Sequence, residues 1–236
     1  MEFKGLEIIW NNLGYLMWGH FPGGIFLTLL MSLIAIVFST LLGILSGVTL
    51  TVAKGIFRPF FVGLLGFLRA IPVIMLIFWT YFLLPVLFNI DVPAIATVIF
   101  ALSLIGAAYI GHSVHAGMVA IAKEQWQAAF SLGLTKQQVI VLIILPQALK
   151  IMLPSFVNQW VSLIKDTSLA YIVGVTEFTF IATQINNRSM VYPTEIFLFV
   201  IVVYFIICWL LNFIVSVMTN NRLGNIYPNR RHSHEE

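Results

Sequence analysis

Charge is scarce in this sequence. Only 12 Lys and Arg and 9 Asp and Glu occur among 236 residues, 9% of the chain, against roughly 25% in soluble domains. A chain so poor in charge cannot clothe itself in a water-facing surface. Cysteine is almost absent too. Cys208 stands alone, which excludes an internal disulfide, and its apolar surroundings predict a packed membrane thiol. No basic block and no Gly-rich phosphate loop is present, so neither nucleic acid nor a nucleotide site on this chain is expected. The opening stretch MEFKGLEIIW carries two acids. It lacks the basic, apolar, small-residue order of a cleavable signal peptide. No repeat of 20–50 residues is visible.

Apolar residues fill the space that charge leaves. They make up 60% of the chain, and the mean hydropathy is +1.00. A spanning helix needs about 20 predominantly apolar residues. Five stretches qualify, at 24–53, 58–88, 93–120, 140–165 and 194–219. Backbone groups in lipid must be satisfied internally, so these are helices. The fold class is all-α, a polytopic membrane protein with five transmembrane helices. Residues 1–23 differ, with Trp10, Tyr15 and Trp18 among polar neighbours. They read as an interfacial N-terminal segment or as an extension of the first helix. The domain organisation is therefore 1–23 interfacial, 24–220 transmembrane and 221–236 a tail.

Orientation follows from Lys and Arg in the loops. One side collects Lys54, Arg58, Lys123, Lys136, Lys150, Arg222, Arg230 and Arg231, and the other has Lys4 and Arg188. Positive charge marks the cytosol. The N-terminus is expected outside and the C-terminus inside, with NRRHSHEE as a solvated end.

The stretch EQWQAAFSLGLTKQQVIVLIILPQ, from Glu124 to Gln147, interrupts the apolar pattern on the cytosolic side. It predicts a short helix over about 124–133, ended near Gly133, with Thr135 capping the next helix. Its expected exposed apolar groups are Trp126, Ala128, Ala129 and Leu132. Small residues admit another backbone closely, and an exposed aromatic is a common anchor. The alternative is an ordinary loop packed on its own bundle.

QAAFSLGLTKQQVIVLIILPQA resembles the EAA loop of ABC-importer membrane subunits. That pattern runs E-A-A, three residues, G, and nine residues later I-x-L-P. Gln127 stands in place of the Glu. Ala128, Ala129 and Gly133 match, and Ile143-Ile144-Leu145-Pro146 closes the motif. FLRAIPVIMLIFWTYFLLP and PQALKIMLPSFVNQWVSLIKDTSLAYI are similar to polar amino-acid permeases of the type I importer class, closest in wording to glutamate/aspartate permeases. The resemblance implies the type I ABC importer permease fold in a bacterial cytoplasmic (inner) membrane. It also implies a coupling helix, with Trp126, Gln127, Ala128, Ala129, Leu132 and Gly133 at the ATPase contact. The implied partners are a second permease subunit, identical or homologous, two cytosolic ATPases and an extracytoplasmic substrate-binding protein. ATP and Mg would sit on the ATPases, with no cofactor on this chain, which would be a non-catalytic subunit.

Ionisable groups at membrane depth cost about 2.5–3.5 kcal/mol each on insertion scales, so they face a cavity, a partner or one another. Arg69 precedes Pro72 in the second span. It could hold a substrate carboxylate, pair with Asp166 or brace helices. Lys165, Asp166, Thr167 and Ser168 predict a break near the outer end of the fourth span. There Thr167 and Ser168 could cap a following half-helix, or Asp166 could cap the end of an uninterrupted span. Asn158, Gln159 and Ser162 lie on one side of that span. His112 and His115 share a helical face, where the resembling family usually has Glu and Arg. A hydrogen-bonded pair near the path is expected there and a metal site is not. Gly43, Gly47, Gly63 and Gly66 predict close helix packing. A rival function is an ion-coupled carrier or channel subunit without an ATPase, which would be expected to show inverted halves. A second is an intramembrane enzyme, for which no coherent catalytic set is visible.

Overall fold

The computed structural model describes residues 4–89, 91–189 and 193–223. Most of the expected tail, including Arg230 and Arg231, lies outside them. Two short helices come first, α1 (Lys4–Asn11) and α2 (Leu13–Trp18). Gly24 follows with φ +59°, and a Cβ there would strike the Leu16 and Met17 backbone. The N-terminal segment is thus folded back by a turn and is not an extension of the first span. Ile9 and Leu16 are buried against Phe178, Ile181 and Ile196.

The candidate spans are α3 (Gly24–Val52), the bent pair α4 (Phe57–Ala70) with α5 (Val73–Phe88), α6 (Ala94–Ala120), α8 (Lys136–Val173) and α10 (Pro193–Leu223). Between the third and fourth lies α7 (Lys123–Ser131), and between the fourth and fifth α9 (Phe178–Ser189). At 1.5 Å per residue, the 29 residues of α3 reach about 44 Å, well beyond a hydrocarbon core of about 30 Å.

The stretch 58–88 is not one rod. It bends by 101° between α4 and α5. Pro72 has no N–H and disfavours helical geometry in the residue before it. Ile71 accordingly adopts φ −76°, ψ 133°. Two further prolines follow π-helical turns. Trp79–Leu83 precedes Pro85 and Val139–Ile144 precedes Pro146, where a missing donor and ring clash disturb the ladder.

The tightest packing is between α3 and α6. A Cβ on Gly43 would come within 2.5 Å of Ile110, and one on Gly47 within 2.5 Å of the Gly111 carbonyl. These two glycines match the expectation of close packing. Gly63 and Gly66 do not, since nothing lies within 4 Å of a Cβ at either. Around the crossing, Met31, Ala35, Ala101, Leu102 and Ile105 are buried together.

Candidate functional site

At one end of the bundle, α7 presents a face set by helical spacing. Glu124, Gln127, Ala128, Ser131 and Leu132 are exposed, Leu132 by 78%. Ala129 points the other way and is 3% exposed, in a core with Met118, Val139 and Ile140. Trp126 is half-buried against that same core. The expectation that Trp126 and Ala129 form part of the exposed surface is corrected. Residues 126 and 129 fall on the inner stripe of α7, while 124, 127, 128, 131 and 132 share the outer one. Gly133 ends the helix with φ +77° in open space, as a turn requires. Thr135 then forms a full capping box. Its backbone N–H donates to Gln138 Oε1 at 2.9 Å, and its Oγ1 accepts from the Gln138 N–H at 3.4 Å.

A seam of exposed and half-buried polar groups crosses one face of the bundle. The bend after α4 leaves the Arg69 carbonyl free, and the Tyr109 hydroxyl donates to it at 3.3 Å. Arg69 Nε is buried with no hydrogen-bond partner, so Arg69 is not paired with Asp166. One turn from Tyr109, Ser113 is hydrogen-bonded to Ser155 of α8 at 2.7 Å. Ser155, Gln159, Ser162 and Asp166 continue along one face of α8 by their spacing. His112 is exposed on α6, within electrostatic reach of Arg69. His115 is hydrogen-bonded through Nδ1 to Thr51 at 2.9 Å, and it also feels the Arg58 charge. The two histidines are therefore not bonded to each other. Among the described residues no group of His, Cys, Asp and Glu could hold a metal. Tyr109, Ser113 and Ser155 were not apparent from sequence, since hydroxyls in apolar helices give no distinctive pattern.

The C-terminal end of α8 differs from expectation. Helix continues through Asp166, and Thr167–Val173 tightens into 3-10 geometry instead of breaking. Thr167 and Ser168 cap nothing. Their hydroxyls donate back to the Ile164 and Lys165 carbonyls at 2.6 and 2.7 Å. Asp166 makes no side-chain cap either. Lys165 is exposed. Asn158 lines a hollow of about 270 Å³ beside Asn212, between α8 and α10.

Glu177 is a buried carboxylate whose role only the fold reveals. It is 0% exposed. It accepts from the backbone N–H of Thr179 at 2.9 Å and of Phe180 at 2.8 Å, capping α9. Tyr204 of α10 donates to it at 3.2 Å and Thr28 of α3 at 3.4 Å. One carboxylate thus ties three helices together. Burial pushes its carboxyl up to about 7, more than those hydrogen bonds bring it down. A folded-state value above the ordinary 4.5 means the folded protein holds the proton more tightly. This stabilising contribution is full below pH 4.5 and is lost as pH rises towards 7. It is on the order of 3 kcal/mol. The thermal midpoint of the detergent-solubilised protein should therefore fall between pH 5 and 7.5, and Glu177→Gln should flatten that slope. An unchanged slope in Glu177→Gln would remove Glu177 as its source.

A bundle of apolar spans with one bent pair, a polar seam on one face and a helix offered at one end defines a multi-span membrane protein. Residues 39–221 match the model of the binding-protein-dependent transport system inner membrane component, and the chain belongs to that family. The L-cystine transport system permease protein TcyB of Bacillus subtilis strain 168 is 28% identical over 214 residues, 91% of each chain. The glutamate/aspartate import permease protein GltK of Escherichia coli O6:H1 is 33% identical over 229 residues, 92% of this chain and 97% of that one. Among solved structures, an amino acid ABC transporter chain superposes with a TM-score of 0.80 at 20% identity, covering 94% of this chain and 99% of that one. A chain of the inward-facing MetNI methionine ABC transporter gives 0.70 at 19% identity, covering 86% and 97%. The fold is that of type I ABC importer permeases, and the chain is a non-catalytic inner-membrane permease subunit.

Proposed function

We propose that this chain is the transmembrane subunit of an ATP-driven importer of polar amino acids, with glutamate or aspartate as the preferred cargo. The relatives support the cargo class, since their names include cystine, glutamine and glutamate/aspartate permeases. The observation that carries the acidic preference is the unpartnered Nε of Arg69 on this seam. Arg58, His112 and His115 lie along the same pair of helices, α4 and α6. A guanidinium with an unused donor suits a carboxylate, which it can bind through two parallel hydrogen bonds. Lys165 adds a second cation towards the outer end of α8, and Gln159, Ser162 and Asp166 supply polar groups between. A second permease copy or homologue completes the path. Two ATPases dock on α7 from the cytosol, and a binding protein delivers cargo outside, where the N-terminus lies. ATPase closure then rocks the spans between outward and inward access.

Competition in reconstituted vesicles tests the cargo. Labelled glutamate uptake should be inhibited by aspartate more strongly than by glutamine or arginine. Arg69→Gln should lower that uptake by roughly tenfold or more, the effect of losing one charge-assisted hydrogen bond. If arginine competes better than aspartate, the acidic preference is wrong. Normal glutamate transport by Arg69→Gln would remove Arg69 as a substrate contact.

A further inference from the structure

A hollow of about 490 Å³ opens between the end of α3, the start of α4 and the start of α8. It lies at the end of the bundle that carries α7. Its floor is apolar, built from Val52, Phe57, Phe61 and Ile140, and its lining includes two lysines, Lys54 and Lys136. Both lysines are exposed, and no carboxylate lines the hollow among the described residues. The floor does not end at the hollow. The stripe of α3 that enters it runs back through Leu45, Leu41 and Phe38, which are 65%, 61% and 52% exposed. From Val52 to Phe38 that stripe rises about 21 Å. One leaflet of hydrocarbon is about 15 Å deep, half of a core of about 30 Å.

The geometry points to a site for an anionic phospholipid of the inner leaflet, its phosphate held between Lys54 and Lys136 and its acyl chains laid along the α3 stripe. Charge and shape each contribute. Two cations without an acid attract an anionic headgroup, and basic pockets between spanning helices on the cytosolic side suit such lipids. The long lysine stems can lie on the apolar wall while the ammonium groups reach the headgroup plane. A soluble anion would use the lysines but leave the floor and stripe uncovered. A neutral lipid would cover the floor but leave the lysines unpaired. The occupant that satisfies both is an anionic lipid. This inference rests on the orientation of the chain and not on its cargo.

Native mass spectrometry tests it on the full-length protein together with whatever chains co-purify. The sample is delipidated in mild detergent. It is then offered phosphatidylglycerol, or phosphatidylcholine with the same acyl chains, with and without excess inorganic phosphate. Wild type should retain phosphatidylglycerol at concentrations where phosphatidylcholine is lost, and inorganic phosphate should not displace it. Lys54→Gln with Lys136→Gln should weaken retention by about tenfold or more, to the phosphatidylcholine level. Val52→Trp should also weaken it, by filling the floor while both lysines remain. Size-exclusion profiles identical to wild type establish that the variants are folded. Four results would overturn the proposal: equal retention of both lipids, retention unchanged by either variant, displacement by inorganic phosphate, or no retention in the assembled complex.

Discussion

Leu132→Asp and Ala128→Asp are expected to lower ATP-driven uptake by more than about tenfold while leaving the bundle folded, whereas Ala129→Asp is expected to destroy the fold. The contrast follows from the two stripes of α7. Leu132 and Ala128 point outwards, so a carboxylate there stays in water until a partner closes over it. Burying that unpaired charge in a close-fitting groove then costs about 3–5 kcal/mol, enough to release the partner. Ala129 is already buried with Val139 and Ile140. A charge there sits in an apolar cluster shut off from water, so the same cost falls on folding. Size-exclusion behaviour and ATPase co-purification separate the two cases. If Ala129→Asp folds and only loses the ATPase, the assignment of stripes is wrong. If Leu132→Asp retains full ATPase binding and uptake, α7 is not the docking surface.

A second large effect is expected at the crossing of α3 and α6. Gly47→Val places a Cβ about 2.5 Å from the Gly111 carbonyl and 2.6 Å from Val114 Cβ. Neither is the loose end of a flexible chain, so the helices must separate. Overpacking of this kind typically costs 1–3 kcal/mol, and parting the crossing also uncovers small residues on both helices. We expect a thermal midpoint lower by about 10 °C or more, or no folded protein. Gly63→Ala, at a glycine that touches nothing, should be neutral or stabilising by up to about 1 kcal/mol through helix propensity. Equal damage from both substitutions would mean that Gly63 also faces a packed surface, such as a second permease subunit.

These residues show where sequence reading succeeds and where it stops. Hydropathy located α3, α6, α8 and α10, because about 20 apolar residues are needed whatever their neighbours. The cap at Thr135 was legible because a hydroxyl just before a helical run satisfies its first N–H groups, while its reciprocal partner Gln138 was not singled out. Pro72 reads as part of one continuous second span, and the 101° bend there was not foreseen, since it depends on what α4 and α5 pack against. The register of α7 was misread for a related reason. Alanine suits a buried stripe and a docking stripe equally, and only Met118, Val139 and Ile140 decide which one Ala129 joins. Gly43 and Gly47 stand four residues apart and Gly63 and Gly66 three, both spacings that suit one helix face, yet only the first pair meets a helix. Glu177 was least legible of all. Its partner Thr28 lies 149 residues away, and no local pattern announces a contact of that span.

The most direct measurement is sided transport by the purified complex in proteoliposomes, with ATP and the substrate-binding protein supplied to chosen faces. Uptake of a labelled polar amino acid should require ATP on the face that carries α7 and the binding protein on the opposite face. It should stop with Leu132→Asp. Uptake driven by a sodium or proton gradient without ATP, and unaffected by Leu132→Asp, would contradict the account and make the chain an ion-coupled carrier.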